Sequence, residues 1–312
     1  MNNVLVIANP TAGDGSGVDL GESLGDVFLK KGIGVKLYET TGQDDFKALV
    51  QNEMQNDVDT VAILGGDGTI SEFTAQVSDL EERPEILLVP SGTRNNLARA
   101  LDTELNIDLL LKKVDDELFI KQQIDVGKIG DRYFISTLSA GSLPEIAWKA
   151  DDDVKELFGS FGYLLEGVSA ISEDETFDLI IQTETEEINL KDVSLIVVGL
   201  SNSVFGIPTF FEDAEIDDGE LHLYTLKTSN LMEEAISLAH HIVPNMEAGK
   251  KQNNDLSYVT SFKEAKIEAS AEINFTIDGE KGPTFPVELD ILHKHFTFLV
   301  PETNKNKNKK TP

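Results

Sequence analysis

The chain has 312 residues, 40% of them apolar and 26% charged; that length is too great for one compact core and suits two domains of ordinary globular composition. Its 26 Lys and Arg against 56 Asp and Glu leave a formal net charge of −30, which repels polyanions and excludes nucleic-acid binding. There is no cysteine, so disulfides, thiolate catalysis and cysteine-based zinc sites are excluded.

The chain opens with four short β-branched runs, Val4–Ala8, Ile33–Tyr38, Val61–Leu64 and Ile86–Val89. Helical patterns lie between them: a helix from Phe46 to about Met54 capped by Asp44-Asp45, and shorter ones at Ser71–Val77 and Asn95–Leu101. This alternation predicts a three-layer α/β domain with a parallel sheet over residues 1–121. Each run ends in small or hydroxylated residues: Asn9-Pro10-Thr11-Ala12-Gly13, Thr40-Thr41-Gly42, Gly65-Gly66-Asp67-Gly68-Thr69 and Pro90-Ser91-Gly92-Thr93. In a parallel sheet these loops share the edge at which ligands bind.

From residue 122 the texture changes to closely spaced strands at Gln122–Ile129, Arg132–Leu138, Thr176–Gln182, Ser194–Leu200, Glu220–Leu226, Ile273–Ile277, Pro286–Leu289 and Phe296–Val300. Gly130-Asp131 reads as a hairpin turn. The expectation is an antiparallel β-sandwich domain over 122–302, interrupted by helical stretches at Val154–Ile171 and Leu231–Ile242. Residues 303–312, rich in Asn and Lys, read as a disordered tail. The segment Met1–Ala8 has no basic leader pattern, and no stretch reaches the roughly 18 apolar residues of a membrane span. A cytoplasmic protein is expected, peripheral at a membrane surface if its substrate lies there.

Gly65-Gly66-Asp67-Gly68-Thr69 is the sharpest chemical signal. Glycines let backbone N–H groups approach phosphate oxygens, and the helix that follows points its positive end at the same place. Asp67 adds a carboxylate suited to Mg²⁺ held through water. It is neither a P-loop, which needs Gly-Lys-Ser/Thr, nor a dinucleotide fingerprint, whose third glycine position is Ser71. Thr93, Arg94 and Asn95 repeat the logic one strand over, either as a helix cap or as the second wall of a nucleotide site. Ile277-Asp278-Gly279-Glu280 sets two carboxylates about a glycine, either as a plain turn or as the source of a base for a substrate hydroxyl. Asp217-Asp218-Gly219-Glu220 is a turn that could surround a hard cation, although its spacing is not that of an EF-hand loop. His240-His241, His293 and His295 lack metal-ligand spacing and read as helix-surface and strand residues.

With these motifs in this order, from Asn9 to about Pro301, the chain resembles the bacterial soluble diacylglycerol kinase and lipid kinase family, related to sphingosine and ceramide kinases. Supporting segments are Asp125-Val-Gly-Lys-Ile, Arg132-Tyr-Phe-Ile and Gly199-Leu-Ser-Asn-Ser. The resemblance implies an active cleft between the two domains, ATP as donor, Mg²⁺ as cofactor and a membrane-resident lipid, diacylglycerol, as acceptor. It leaves a homodimer open. Carried over to matching positions, Asn9, Pro10, Thr11, Ala12, Gly13, Thr40, Gly65, Gly66, Asp67, Gly68, Thr69, Glu72, Thr93 and Asn95 would bind ATP. Asp278 and Glu280, with Asp67, would be catalytic. Asp218, with the backbone carbonyls of Glu215 and Glu220, would hold a structural Mg²⁺, and Asp67 and Asp125 would join a Mg²⁺–water network. The soluble relatives carry Asn-Asp where this chain has Asn95-Asn96. Alternatives are a kinase for another lipid alcohol (sphingoid, ceramide-like or isoprenoid) and a nucleotide-binding regulatory protein of weak turnover. NAD kinases share the Gly-Gly-Asp-Gly motif, but the Asp278-Gly-Glu280 end fits the lipid branch better.

Overall fold

The computed structural model describes residues 1–10, 17–40, 43–54, 57–92, 95–141, 176–204, 210–227 and 256–303. The helices expected at Val154–Ile171 and Leu231–Ile242, Trp148, His240-His241 and the tail from 304 lie outside them. The chain divides into two units, Met1–Ile124 with the return segment from Lys294, and Asp125–His293.

In the first unit β1 (Asn3–Ala8), β2 (Gly34–Glu39), β3 (Thr60–Gly65) and β4 (Glu85–Pro90) form a parallel sheet in the order β2-β1-β3-β4. Strand residues alternate between its two faces. Val4, Val6, Ala62, Leu64, Leu87 and Val89 pack with Leu24 and Phe28 of α1 (Gly17–Lys30) and Leu110 and Val114 of α5 (Ile107–Asp115). The residues between them, among them Leu5, Ile7, Val61 and Ile63, are also fully buried. Both faces of β1, β3 and β4 are therefore covered, which is why these three read as continuous apolar runs. α2 (Gln43–Glu53) packs on α3 (Asp67–Val77), with the Phe46 and Phe73 rings edge to face at 6.5 Å.

Helix starts differ from expectation. α2 begins at Gln43, so Asp44-Asp45 fall inside its first turn rather than ahead of it. α3 begins at Asp67, so the glycine loop is itself the helix N-terminus. Propensity alone would not start a helix on Asp-Gly; the sheet edge and the buried Ile70, Phe73 and Val77 impose it.

β5 (Phe119–Ile129) runs from the first unit into the second. It turns through Gly130-Asp131 into β6 (Arg132–Phe134), with Ile129 opposite Arg132 and Gly130 at φ +60. The other strands of the second unit are β7 (Thr137–Gly141), β8 (Phe177–Thr183), β9 (Glu187–Gly199), β10 (Leu221–Lys227), β11 (Ser257–Phe262), β12 (Glu264–Ala269), β13 (Asn274–Ile277), β14 (Glu280–Thr284) and the start of β15 (Val287–Pro301). They pair antiparallel in the order β14-β13-β7-β9-β8-β12-β15, with β10 joining β9 to β11. The first half of β9 pairs with β8, the second with β7 and β10. One long strand thus serves two layers, as in an antiparallel sandwich. Phe177, Leu179, Ile196, Val198, Leu221, Leu223, Phe275 and Ile277 are among the side chains of its core.

Strands β11, β12 and β14 were not legible in the sequence. The runs expected at Pro286–Leu289 and Phe296–Val300 are one strand, β15. Its end lies parallel to β4, with Phe298 opposite Ile86. The chain therefore closes back on the first unit, where the sequence reading assigned residues up to 302 to the second domain.

Candidate functional site

The site is built from the loops at the carboxyl ends of the first unit's strands, which are braced to one another one by one. Thr40 N–H donates to the Ala8 carbonyl at 2.9 Å, Asn9 N–H to Leu64 at 3.2 Å and Ser91 N–H to Gly65 at 3.2 Å. Asn9 Nδ2 donates to Thr69 Oγ1 at 3.3 Å. The two glycine loops press together: a Cβ on Gly92 would lie 2.5 Å from the Gly66 Cα. Only glycine permits that approach, and it leaves the loop backbones free of side-chain bulk.

Asp67 ties the loops together. Its carboxylate accepts the Asn96 N–H at 2.9 Å on Oδ2 and the Leu97 N–H at 3.1 Å on Oδ1, so it caps α4 (Asn96–Ala100) from the neighbouring loop. The sequence offered a helix cap within Thr93–Asn95 only as the alternative to a nucleotide-site wall. Asn95 instead takes a left-handed conformation, φ 51, and its amide turns back on its own loop, accepting from Gly92 N–H and donating to Gly92 O. A neighbouring strand's loop cannot be recognised as a cap from local spacing. Beside Asp67, the Asn96 side chain is buried, with 9% exposure, and its Oδ1 has no hydrogen-bond partner among the described residues; Ser91 Oγ is a second such atom. A buried acceptor without a donor is costly, and a Mg²⁺-bound water is a donor of the right kind. Asp67 and Asn96 therefore fit a cation held through water. Thr11, Ala12, Gly13 and Thr93 lie outside the described residues; Glu72 stands one turn along α3.

In the second unit Asp278 and Glu280 part company. Asp278, at φ 49, accepts N–H bonds from Ile135 at 3.0 Å and from Ser136 and Thr137 at 2.9 Å. Three backbone donors commit this carboxylate to holding the β6–β7 connection. Glu280 is exposed at the start of β14. Asp125 is buried, 1% exposed, with Oδ2 accepting from Gly219 N–H at 2.6 Å and Oδ1 2.9 Å from His293 Nδ1. Asp218 accepts from the N–H groups of Glu215 and Glu220, both at 2.9 Å, and lies 3.0 Å from His222 Nε2. Burial alone would raise the Asp218 carboxyl, but the bonds from His222 and the backbone outweigh it and hold it below the usual carboxylate range. The two Asp–His pairs escaped the sequence reading. Asp218 and His222 are four apart, but Asp125 and His293 are brought together only by the fold.

A parallel sheet flanked by helices, with paired glycine loops at the carboxyl ends of its strands and a carboxylate at the first turn of α3, together with an antiparallel unit, is the fold found in diacylglycerol kinases and NAD kinases. Residues 3–129 match the model of the diacylglycerol kinase catalytic domain. A diacylglycerol kinase of Staphylococcus haemolyticus is 27% identical over 95% of this chain and 88% of its own length, and one of Staphylococcus carnosus is 27% identical over 96% of each. The crystal structure of a diacylglycerol kinase from Bacillus anthracis is similar at TM-score 0.73 and 23% identity over 96% of both chains. An NAD kinase from Archaeoglobus fulgidus in complex with ATP shares the fold at TM-score 0.52 and 14% identity, over 98% of this chain and 96% of that one. Over nearly its whole length the chain is thus similar to bacterial diacylglycerol kinases, and its residues 3–129 match their catalytic domain.

Proposed function

We propose that the chain transfers the γ-phosphoryl group of ATP to the hydroxyl of diacylglycerol, giving phosphatidic acid and ADP. The observation that supports this reading is the pair of closely packed glycine loops locked by Asp67, beside which the buried Ser91 Oγ and Asn96 Oδ1 have no hydrogen-bond partner among the described residues. The relatives named for the same reaction supply the acceptor.

In this reading Asn9, Pro10, Thr11, Ala12, Gly13, Thr40, the Gly65–Thr69 loop, Glu72, Thr93 and Asn95 bind the nucleotide, its phosphates lying on backbone N–H groups. Mg²⁺ neutralises phosphate charge when bound, and Asp67 and Asn96 would hold it through water. Asp67 also keeps the second loop in register, so its part is binding and positioning together. Glu280 accepts the proton of the lipid hydroxyl as its oxygen bonds to phosphorus and the bond to the ADP oxygen breaks. Asp278 is a positioning residue, its charge spent on three N–H groups.

Among the described residues no helix is long and apolar enough to cross a membrane. The enzyme of this proposal is cytoplasmic and meets its lipid at a membrane surface. With a net charge of −30 it is repelled by anionic bilayers, so turnover on vesicles rises with ionic strength. The test is transfer of radiolabel from γ-labelled ATP to a panel of diacylglycerol, sphingoid, ceramide and isoprenoid alcohols in mixed micelles, with product identification. Labelled phosphatidic acid is expected. Label on another alcohol alone would reassign the acceptor, and ATP binding without turnover on any lipid would favour the regulatory alternative.

A further inference from the structure

The turn from Glu215 to Glu220 is held by an unusual set of donors. Asp218 Oδ2 receives the Glu215 N–H and faces His222 Nε2, and Oδ1 receives the Glu220 N–H. Asp125 Oδ2 receives the Gly219 N–H, and Oδ1 faces His293 Nδ1. Asp125 N–H in turn donates to the Ile216 carbonyl at 2.8 Å. A carboxylate only accepts, so each imidazole must present an N–H to it. That sets the proton on Nε2 of His222 and on Nδ1 of His293. The His222 ring is largely buried and the His293 ring half-exposed. His222 lies against Phe211 at 5.7 Å, and the His293 ring covers Gly219, where a Cβ would stand 2.9 Å from Nδ1.

A divalent cation needs the opposite arrangement. Mg²⁺ takes about six oxygen atoms with their lone pairs aimed at it. Here N–H groups converge on the carboxylates, and three of the roughly four lone-pair directions of Asp218 are taken. The Glu215 carbonyl faces inward to accept the Asp218 N–H at 3.4 Å, and the Glu220 carboxylate accepts from the Ser261 hydroxyl. Among the described residues no three acidic or imidazole side chains group as metal ligands. We propose that in this chain His222 and His293 stand in for a structural cation, so that the turn and the buried Asp125 are positioned without any divalent ion. This does not depend on which lipid the enzyme phosphorylates, and it is separate from the cation that accompanies ATP in the first unit.

The experiment uses the full chain without nucleotide. Its melting temperature should not respond to EDTA, nor to Mg²⁺ or Ca²⁺ beyond a potassium chloride control of equal ionic strength. An ion bound to the native turn alone would raise it steadily with concentration. His222→Ala should lower it by about 3–6 °C, and His222→Gln, which restores a side-chain N–H, should recover much of that loss. Nitrogen-15 spectra of the native protein should show Nε2–H for His222 and Nδ1–H for His293, and Mn²⁺ should not selectively broaden either ring. Selective broadening of His222 by Mn²⁺, or a Mg²⁺-driven rise in melting temperature that Asp218→Asn abolishes, would overturn the proposal. A rise left intact by Asp218→Asn places the ion elsewhere and supports it. The Mn²⁺ measurement decides the matter even if the Asp218 variant does not fold.

Discussion

Asp278→Asn and Glu280→Gln are near-isosteric changes two residues apart, and the structure assigns them opposite consequences. In Asp278→Asn one carboxylate oxygen becomes an NH₂ group. If the retained oxygen keeps Ser136 and Thr137, the NH₂ meets the Ile135 N–H donor to donor. One charge-assisted bond is lost and the two that remain lose their charge, which costs about 2–3 kcal/mol. At about 2–4 °C per kcal/mol for a unit of this size, the melting temperature should fall by about 4–12 °C. Turnover falls with it, because the segment bearing Glu280 loosens. Glu280→Gln touches an exposed side chain at the start of a strand and should leave the melting temperature nearly unchanged. Its kcat should fall by about 10²-fold or more, with ATP affinity kept. Thermal unfolding, ATP titration and lipid turnover on both variants separate the roles. A stable but inactive Asp278→Asn beside a fully active Glu280→Gln would refute the reasoning and make Asp278 the base.

Asp67→Ala removes the acceptor for the Asn96 and Leu97 N–H groups; it should abolish both turnover and ATP binding and lower the melting temperature, and calorimetry showing native ATP affinity would count against the loop assignment. Asn96→Asp adds a carboxylate beside Asp67 and should lower the Mg²⁺ concentration for half-maximal activity by about fivefold, or ~1 kcal/mol in partly solvated surroundings; an unchanged Mg²⁺ curve would show that the amide is no handicap. His295 is held below its ordinary pKa by burial first and by nearby Arg83 second, although the Ser78 carbonyl it bonds and the Asp79 charge pull the other way. A histidine with a depressed folded pKa contributes stability above its unfolded value, near 6.5, that is lost as pH falls through the folded value. The melting temperature should therefore fall below about pH 6.5, and His295→Gln should flatten that window; a slope identical in the variant would assign it to other groups.

The class of fold was written in local pattern. Runs buried on both faces announce a parallel sheet with helices on each side, and the small residues after each run mark the ligand edge, because phosphate-sized ligands and close loop packing both demand glycine. That is why the Gly65–Thr69 and Ser91–Gly92 loops, the Gly130-Asp131 hairpin and the Asp278-Gly-Glu280 segment were legible without coordinates. Local pattern could not tell what each carboxylate is for, since a carboxylate that caps a helix and one that takes a proton look alike in sequence. Asp67 reaches a helix 29 positions on, Asp278 receives N–H groups more than 140 positions back, and Asp125 finds His293 across 168. The return of β15 to β4 is hidden for the same reason, as a strand's own residues say that it is buried but not beside what. The sequence alone determined the folding class, the glycine loops and the stock of acidic groups. Only the tertiary structure decided which backbone and histidine groups Asp67, Asp125, Asp218 and Asp278 bind, because hydrogen-bond partners distant in the chain are chosen by the packing of the whole.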